Sequence, residues 1–238
     1  MPLSLDHDTT ISDFMKRLLD IWVSLIALAV LSPLLILIAI LVKVSSRGPV
    51  LYRGVRVGLN GRDFQMLKFR SMVPDAESLG GSATANDEPR LTGVGRALRK
   101  LKLDELPQFI NVLQGDMSLV GPRPEVRKYV DMYTPEQEPI LTVKPGITDW
   151  ASIWNSDEGT VLEGSLDPEA EYERVIRPAK LAMQLRYVET HNTLTDVRIL
   201  SYTLFKLINR NWSPRELSEY APVRTSNRGG GTQQCQLP

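Results

Sequence analysis

Two adjacent carboxylates, Asp104 and Glu105, follow a run of cations, Arg99, Lys100 and Lys102, and precede Leu106-Pro107. That pattern fits two uses. Asp104 could cap the helix that follows, with Glu105 as a first-turn acid favoured by the helix dipole, each contributing about 1 kcal/mol or less. Alternatively, an aspartate can attack phosphorus and form an acyl phosphate. That chemistry needs cations around the phosphates and usually a divalent metal, because two anions otherwise repel. Further on, Pro122-Arg123-Pro124 fixes the backbone on either side of one arginine. Other chemistries are poorly supplied. The chain has two histidines, His7 and His191, and one cysteine, Cys235. No thiolate metal site, disulfide framework or Cys/His nucleophile pair can be built from these, and a Ser-His-Asp arrangement would rest on His191 alone. A lone histidine in a mixed helix reads as a surface or packed residue. Carboxylates, Arg and Lys must do any chemistry.

The elements around these residues carry their own signals. Val94, Leu98 and Leu101 recur at helical spacing, with Arg96, Arg99, Lys100 and Lys102 on the other face, which predicts a basic amphipathic helix. Phe109 to Leu113 resumes an apolar helical pattern, with Pro107 tolerated in its first turn and an end near Gly115. Upstream, Val50 to Arg53 and Phe64 to Phe69 read as short strands flanking the turn signal Asn60-Gly61. Residues 76–88 read as a flexible excursion, and Val143 to Thr148 as a turn feeding a segment with Trp150 and Trp154. Asp157 to Glu173 is acidic and loop-like. Pro178 to Arg210 reads helical, with Leu181, Leu185 and Val188 on one stripe and Leu194 to Ile208 apolar enough to lie in a membrane interface. The chain has no net charge, but its charge is uneven: from Lys43 to Lys102 there are 12 basic and 5 acidic residues, and from Asp131 to Val175 there are 2 basic and 11 acidic. The basic half suits anionic headgroups or a phosphorylated ligand.

Next to that basic half lies Ile21 to Val42, 22 residues without a charge and long enough to cross a hydrocarbon core. Ser32 and Pro33 stand at its midpoint, where proline removes a backbone donor and predicts a kink. Lys16 and Arg17 precede the run, and Lys43, Arg47, Arg53 and Arg56 follow it, so both flanks carry the basic residues that mark a cytoplasmic side. This suits a helix that enters, breaks at Ser32-Pro33 and returns to the same face, with the serine hydroxyl taking a freed carbonyl. A tilted span with a tolerated proline is the alternative. The expected division is a disordered lead over 1–12, the membrane helix over 13–44, a membrane-associated domain over 45–211 and a disordered tail over 212–238. The expected fold is α/β and mostly helical, with a small β-hairpin and interfacial amphipathic helices.

From Met15 to Asn211 the chain resembles the bacterial sugar transferases, monotopic polyprenyl-phosphate phosphoglycosyl transferases. The resemblance rests on Lys16-Arg17-Leu18-Leu19-Asp20, Leu31-Ser32-Pro33-Leu34, Ser46-Arg47-Gly48-Pro49-Val50, Lys68-Phe69-Arg70-Ser71-Met72, Leu103 to Gln108, Asn111-Val112-Leu113, Gly115 to Pro124 and Lys144 to Thr148, in the family's order. It implies a re-entrant anchor at the cytoplasmic face of a bacterial inner membrane. It also implies a reaction in which Asp104 attacks the sugar-bearing phosphate of a UDP-sugar, UMP leaves, and undecaprenyl phosphate takes the phosphosugar, as the first membrane step of glycan assembly. Glu105 would act as metal ligand or base, Mg²⁺ held by Asp104 and Glu105 would neutralise the diphosphate, and Arg99 and Arg123, with Lys68 as a weaker candidate, would hold phosphate oxygens. The implied partners are the UDP-sugar, undecaprenyl phosphate and membrane lipids, with a homodimer left open and no nucleic acid. One departure stands out: many family members follow the Pro-Gly-Ile-Thr motif with Gly-Trp-Ala and an Asn-Gly-Arg, whereas this chain has Asp149-Trp150-Ala151 and then Asn155-Ser156-Asp157-Glu158. Trp150 and Trp154 could stack on a base or sugar there, or pack in the core or interface. The chain also looks like the family's minimal form. Two other functions remain open, a membrane adaptor without catalysis and a nucleotide-sugar hydrolase.

Overall fold

A computed structural model describes residues 7–74, 76, 88–155, 158–209 and 212–220. Its longest element is α1, His7–Ser45, 39 residues that include the whole apolar run. Within it Phe14–Ser45 is long and apolar enough to cross a membrane, and its most apolar stretch is only 11% buried against the rest of the protein. Helical backbone continues through Ser32-Pro33. The carbonyl of Ala29, which a residue other than proline at 33 would bond, accepts instead from the Ser32 hydroxyl at 2.8 Å. The helix also takes in 7–12 of the stretch read as a disordered lead; the first six residues lie outside the described ones.

Both ends of α1 are tied to the rest of the chain. Near its start, Arg17 donates to the carbonyls of Val112 and Leu113 at 2.6 and 3.0 Å, and Asp20 accepts from the Leu119 N–H and the Ser118 hydroxyl at 2.9 and 3.1 Å. Lys16 donates to the Val120 carbonyl and ion-pairs with Asp196. Near its end, Ile38 and Val42 pack against Phe69 and Leu98, and Arg70 donates to the Ser46 carbonyl at 2.7 Å. Lys16 and Arg17, the cations before the apolar run, therefore have structural partners as well as a charge.

The hairpin forms where the turn signal placed it. β1, Leu51–Val57, pairs antiparallel with β2, Asp63–Phe69, across a turn with Asn60 and Gly61 at φ 54° and 71°. The excursion read over 76–88 lies mostly outside the described residues, only Ala76 and Glu88 being described. α2, Gly93–Leu101, starts on Thr92, whose side chain accepts from the Gly95 N–H. α3, Gln108–Gln114, ends at Gly115 with φ 92°. Asn111, fully buried, accepts from the Leu67 N–H and donates to the Gln65 carbonyl, each at 2.8 Å, and so binds α3 to β2.

The turn signal around Pro145 also carries a strand: β3, Ser118–Val120, pairs in parallel with β4, Gly146–Thr148. α4, Arg127–Val130, lies between them in the chain, and α5, Trp150–Trp154, follows. The segment read as an acidic loop holds two short helices, α6, Glu158–Val161, and α7, Pro168–Glu171, before α8, Arg177–Thr190, and α9, Thr193–Ile208. Leu119, Ile153, Tyr172, Ile176, Met183, Tyr187 and Ile199 form the main core. The buried face of α8 holds Lys180, Leu181, Met183, Gln184 and Tyr187, so Leu181 of the expected stripe is buried while Leu185 and Val188 are half-buried; the two polar members serve the network described below. Residues 212–220 are not a disordered tail: Leu217 is 2% exposed in the main core, and Trp212 meets Tyr202 and Phe205 edge-on. Burial of apolar surface holds that segment down. The rest of the expected tail, 221–238, lies outside the described residues.

Candidate active site

Asp104 and Glu105 sit in a single 3₁₀ turn, Leu103–Glu105, entered through Lys102 at φ 59°. The left-handed residue ends α2 and turns the chain so that both carboxylates reach one cleft. The capping role considered for Asp104 is not the one it has, since α3 begins after Pro107 without a side-chain cap.

The cleft has a volume of about 200 Å³, and Lys68, Arg99, Asp104, Glu105 and Arg123 all line it. The turn, the hairpin, α2 and the Pro-Arg-Pro segment thus bring the five candidate residues together. Arg56, Lys102 and Lys180 add three more cations, and Glu125 and Glu158 two more carboxylates. Six cations against four carboxylates leave a surplus that suits a doubly charged anion.

The two central carboxylates differ. Glu105 accepts from Lys68 Nζ at 2.8 Å and from the Arg123 guanidinium through the same oxygen. Burial alone would push its carboxyl up; Arg123 first, then Lys68 and Lys102, outweigh that and hold it well below the usual carboxylate range. Asp104, 3% exposed, is pushed up, by burial first and the neighbouring Glu105 second, against the pull of Lys68, Arg99 and Lys102. Among the described residues, neither Lys68 nor Arg123 ion-pairs with it. Burial pulls Lys68 and Arg99 down, opposed by the carboxylates beside them. Arg99 is steered by the Ser71 hydroxyl, which accepts from its Nε at 3.1 Å.

Arg123 is held by its backbone as well as by its prolines. Its N–H donates to Asp149 at 3.1 Å, and its carbonyl accepts from Gln184 at 3.2 Å. Asp149, 1% exposed, also takes the Ser152 N–H at 2.7 Å and so caps α5. The residue that departs from the Gly-Trp-Ala pattern is thus a fixed part of the arginine's mount. Behind it, Glu125 pairs with Lys180 at 2.8 Å, and the Tyr172 hydroxyl donates to Glu125 and accepts from Lys180 at 2.8 and 2.9 Å. Burial alone would pull Lys180 down, but Glu125 outweighs it. Sequence reasoning missed Lys180, Glu125 and Tyr172. The signal that could have found them is the pair Lys180 and Gln184, one turn apart on a face shared with Met183 and Tyr187.

Other candidates have plainer places. His191 is exposed, with a ring nitrogen 2.8 Å from the Val188 carbonyl. Trp150 is buried edge-on against Tyr202. Trp154 is buried too, at the wall of a second, apolar cavity of about 530 Å³ that shares Lys102, Glu105, Arg123, Glu158 and Lys180 with the cleft.

The model of a family described as bacterial sugar transferase matches residues 11–210. The chain is 39% identical over 209 residues to UDP-glucose:undecaprenyl-phosphate glucose-1-phosphate transferase of Escherichia coli (strain K12), a match covering 84% of this chain and 42% of that protein. It is 46% identical over 143 residues to UDP-N-acetylgalactosamine-undecaprenyl-phosphate N-acetylgalactosaminephosphotransferase of Aeromonas hydrophila, covering 59% and 34%. It is 34% identical over 204 residues to the exopolysaccharide production protein ExoY of Sinorhizobium fredii (strain NBRC 101917 / NGR234), covering 79% and 83%. The chain therefore spans less than half the length of the first two relatives and most of the third.

Proposed function

The chain belongs to the bacterial sugar transferase family, and from that premise we propose that it moves a phosphosugar from a UDP-sugar to undecaprenyl phosphate at a membrane surface, within glycan assembly of the exopolysaccharide kind. The carrying observation is Asp104, buried among Lys68, Arg99 and Lys102 while Glu105 absorbs the ion pairs of Lys68 and Arg123. A carboxylate without an ion-paired cation of its own is the better nucleophile of the two.

In the first step an Asp104 oxygen forms a bond to the sugar-bearing phosphorus, and the bond from that phosphorus to the bridging oxygen breaks as UMP leaves with the electron pair. In the second, a phosphate oxygen of the lipid attacks the same phosphorus and the Asp104 carboxylate is released. Arg99, Arg123 and Lys68 bind and orient the phosphate oxygens, the arginines through paired N–H groups. Glu105 holds Lys68 and Arg123 at the cleft wall.

Mg²⁺ fits this site as an ion shared with the substrate. It is commonly bound by one or two carboxylates plus phosphate oxygens, and Asp104 and Glu105 supply that many. Among the described residues no three His, Cys, Asp or Glu side chains group as a metal cage. When bound, the ion would neutralise diphosphate charge.

The anchor reading is supported by the ties at both ends of α1. Arg17 and Val42 are about 38 Å apart along a helix, more than a hydrocarbon core, yet Arg17 bonds α3 and Val42 packs with Phe69 of β2, which Asn111 joins to α3. A spanning helix would put them on opposite sides. A helix bent at Ser32-Pro33 that returns to the cytoplasmic face keeps them on one side and holds Asp104 at headgroup level, with exposed Leu204, Leu207 and Ile208 of α9 in the interface.

Purified protein incubated with a panel of UDP-sugars, Mg²⁺ and undecaprenyl phosphate should release UMP from one donor in a lipid-dependent way, and Asp104→Asn should lose it by at least about 10³-fold. Lipid-independent release would favour a hydrolase. No release by the folded wild type with any donor would favour the adaptor.

A further inference from the structure

The reaction steps above place no substrate group in the apolar cavity beside the cleft. Phe109 of α3, Trp154 of α5 and Leu200 and Leu204 of α9 wall it, and Val23 of the membrane helix closes one side. Its polar residues include Lys102, Arg123 and Lys180, the cations it shares with the cleft. Two further donors, Trp154 Nε1 and Asn155 Nδ2, are buried at its wall without a hydrogen-bond partner among the described residues. Buried N–H groups left unpaired cost free energy, and an oxygen-rich group would satisfy them. Cations and free donors at a greasy cavity call for an amphiphile with an anionic head. A soluble diphosphate sugar offers nothing to Phe109 or Leu200.

We propose that this cavity binds the first isoprene units of the acceptor lipid, placing its phosphate at the wall of Lys102, Arg123 and Lys180 beside Asp104. The occupant enters from the bilayer, because Val23 belongs to the apolar helix and Leu204 and Leu207 are 63% and 58% exposed on the same rim. Its volume of about 530 Å³ lies within the usual range for a small-molecule site. Donor and acceptor then use different cavities with one common wall, and the phosphosugar changes hands across it. The proposal rests on the acceptor-lipid reading above and names the part of the protein that meets the lipid's tail.

A prenyl phosphate carrying a photoreactive diazirine on its second isoprene unit tests it without depending on turnover. With the full chain in nanodiscs, the label should map to peptides containing Phe109 and Leu200, unlabelled undecaprenyl phosphate should displace it, and Leu200→Trp, which fills the cavity, should cut it by about fivefold or more. Mass added to the protein by a UDP-sugar without lipid, measured on wild type and variant, reports whether the cleft is intact. Label confined to the exposed face of residues 25–37, or unchanged in a Leu200→Trp protein that still loads from the donor, would overturn the proposal. Label in the cavity of a wild-type protein that never loads would leave the lipid site standing and remove the transferase reading instead.

Discussion

As the proposed nucleophile Asp104 would have to be ionised to attack phosphorus, and burial beside Glu105 makes ionisation harder. Donor loading should therefore fall away on the acid side at a pH above the ordinary aspartate range, as a pH profile of single-turnover UMP release would record. The sign for stability follows. With its folded pKa raised, Asp104 destabilises the fold at neutral pH and does so less as pH drops through that pKa. Asp104→Asn should thus abolish loading yet raise the melting temperature by roughly 2–4 °C, the effect of about 1 kcal/mol in a chain of this size. Glu105 works the other way: its folded pKa is depressed, so its contribution is complete above the ordinary glutamate value and is lost as pH falls through the folded one. Glu105→Gln should cost about 1–3 kcal/mol in thermal unfolding, because Lys68 and Arg123 lose their shared counter-charge. The five residues that meet in the cleft were legible because they lie in short, unusual motifs such as Asp-Glu after a basic helix and Pro-Arg-Pro. Lys180 was not, since its one local sign is a helix face shared with Gln184, Met183 and Tyr187, and its burial against Glu125 is set by tertiary packing.

At the scale of elements, periodicity and turn chemistry went far. The hairpin, α2, α3 and the helices α8 and α9 were readable from alternation, helical spacing, the Asn60-Gly61 turn and the glycine that ends α3. β3 and β4 were not, because three residues carry no period and a parallel pair leaves no turn between its strands. Their cause is a close backbone approach. A Cβ on Gly121 would lie 2.3 Å from the Lys144 carbonyl oxygen, and one on Gly146 would lie 2.1 Å from the Gly121 nitrogen. Either glycine replaced by alanine should cost about 1–3 kcal/mol on thermal melting and loosen the mount of Arg123, raising the donor KM more than it lowers kcat. The tail over 212–220 was misread because its composition is polar while two residues, Trp212 and Leu217, anchor it.

For the whole molecule, the informative feature is that one helix is fastened to the same body at both ends. The basic flanks suggested this from the sequence, although there they could not be separated from a kinked span. In a protein with Cys235 replaced by serine, single cysteines at Met15 and Ser46 should both react with a membrane-impermeant thiol reagent only once the cell is opened; a spanning helix would expose one of the two in intact cells. The fastening has a further consequence. A protein that crosses a bilayer must match its thickness, tilting or stretching where it does not. This one would ride in a single leaflet at a depth set by its own domain. Its turnover in vesicles should accordingly stay nearly level as acyl chains are lengthened, so that membranes of different thickness would be the same substrate surface to it.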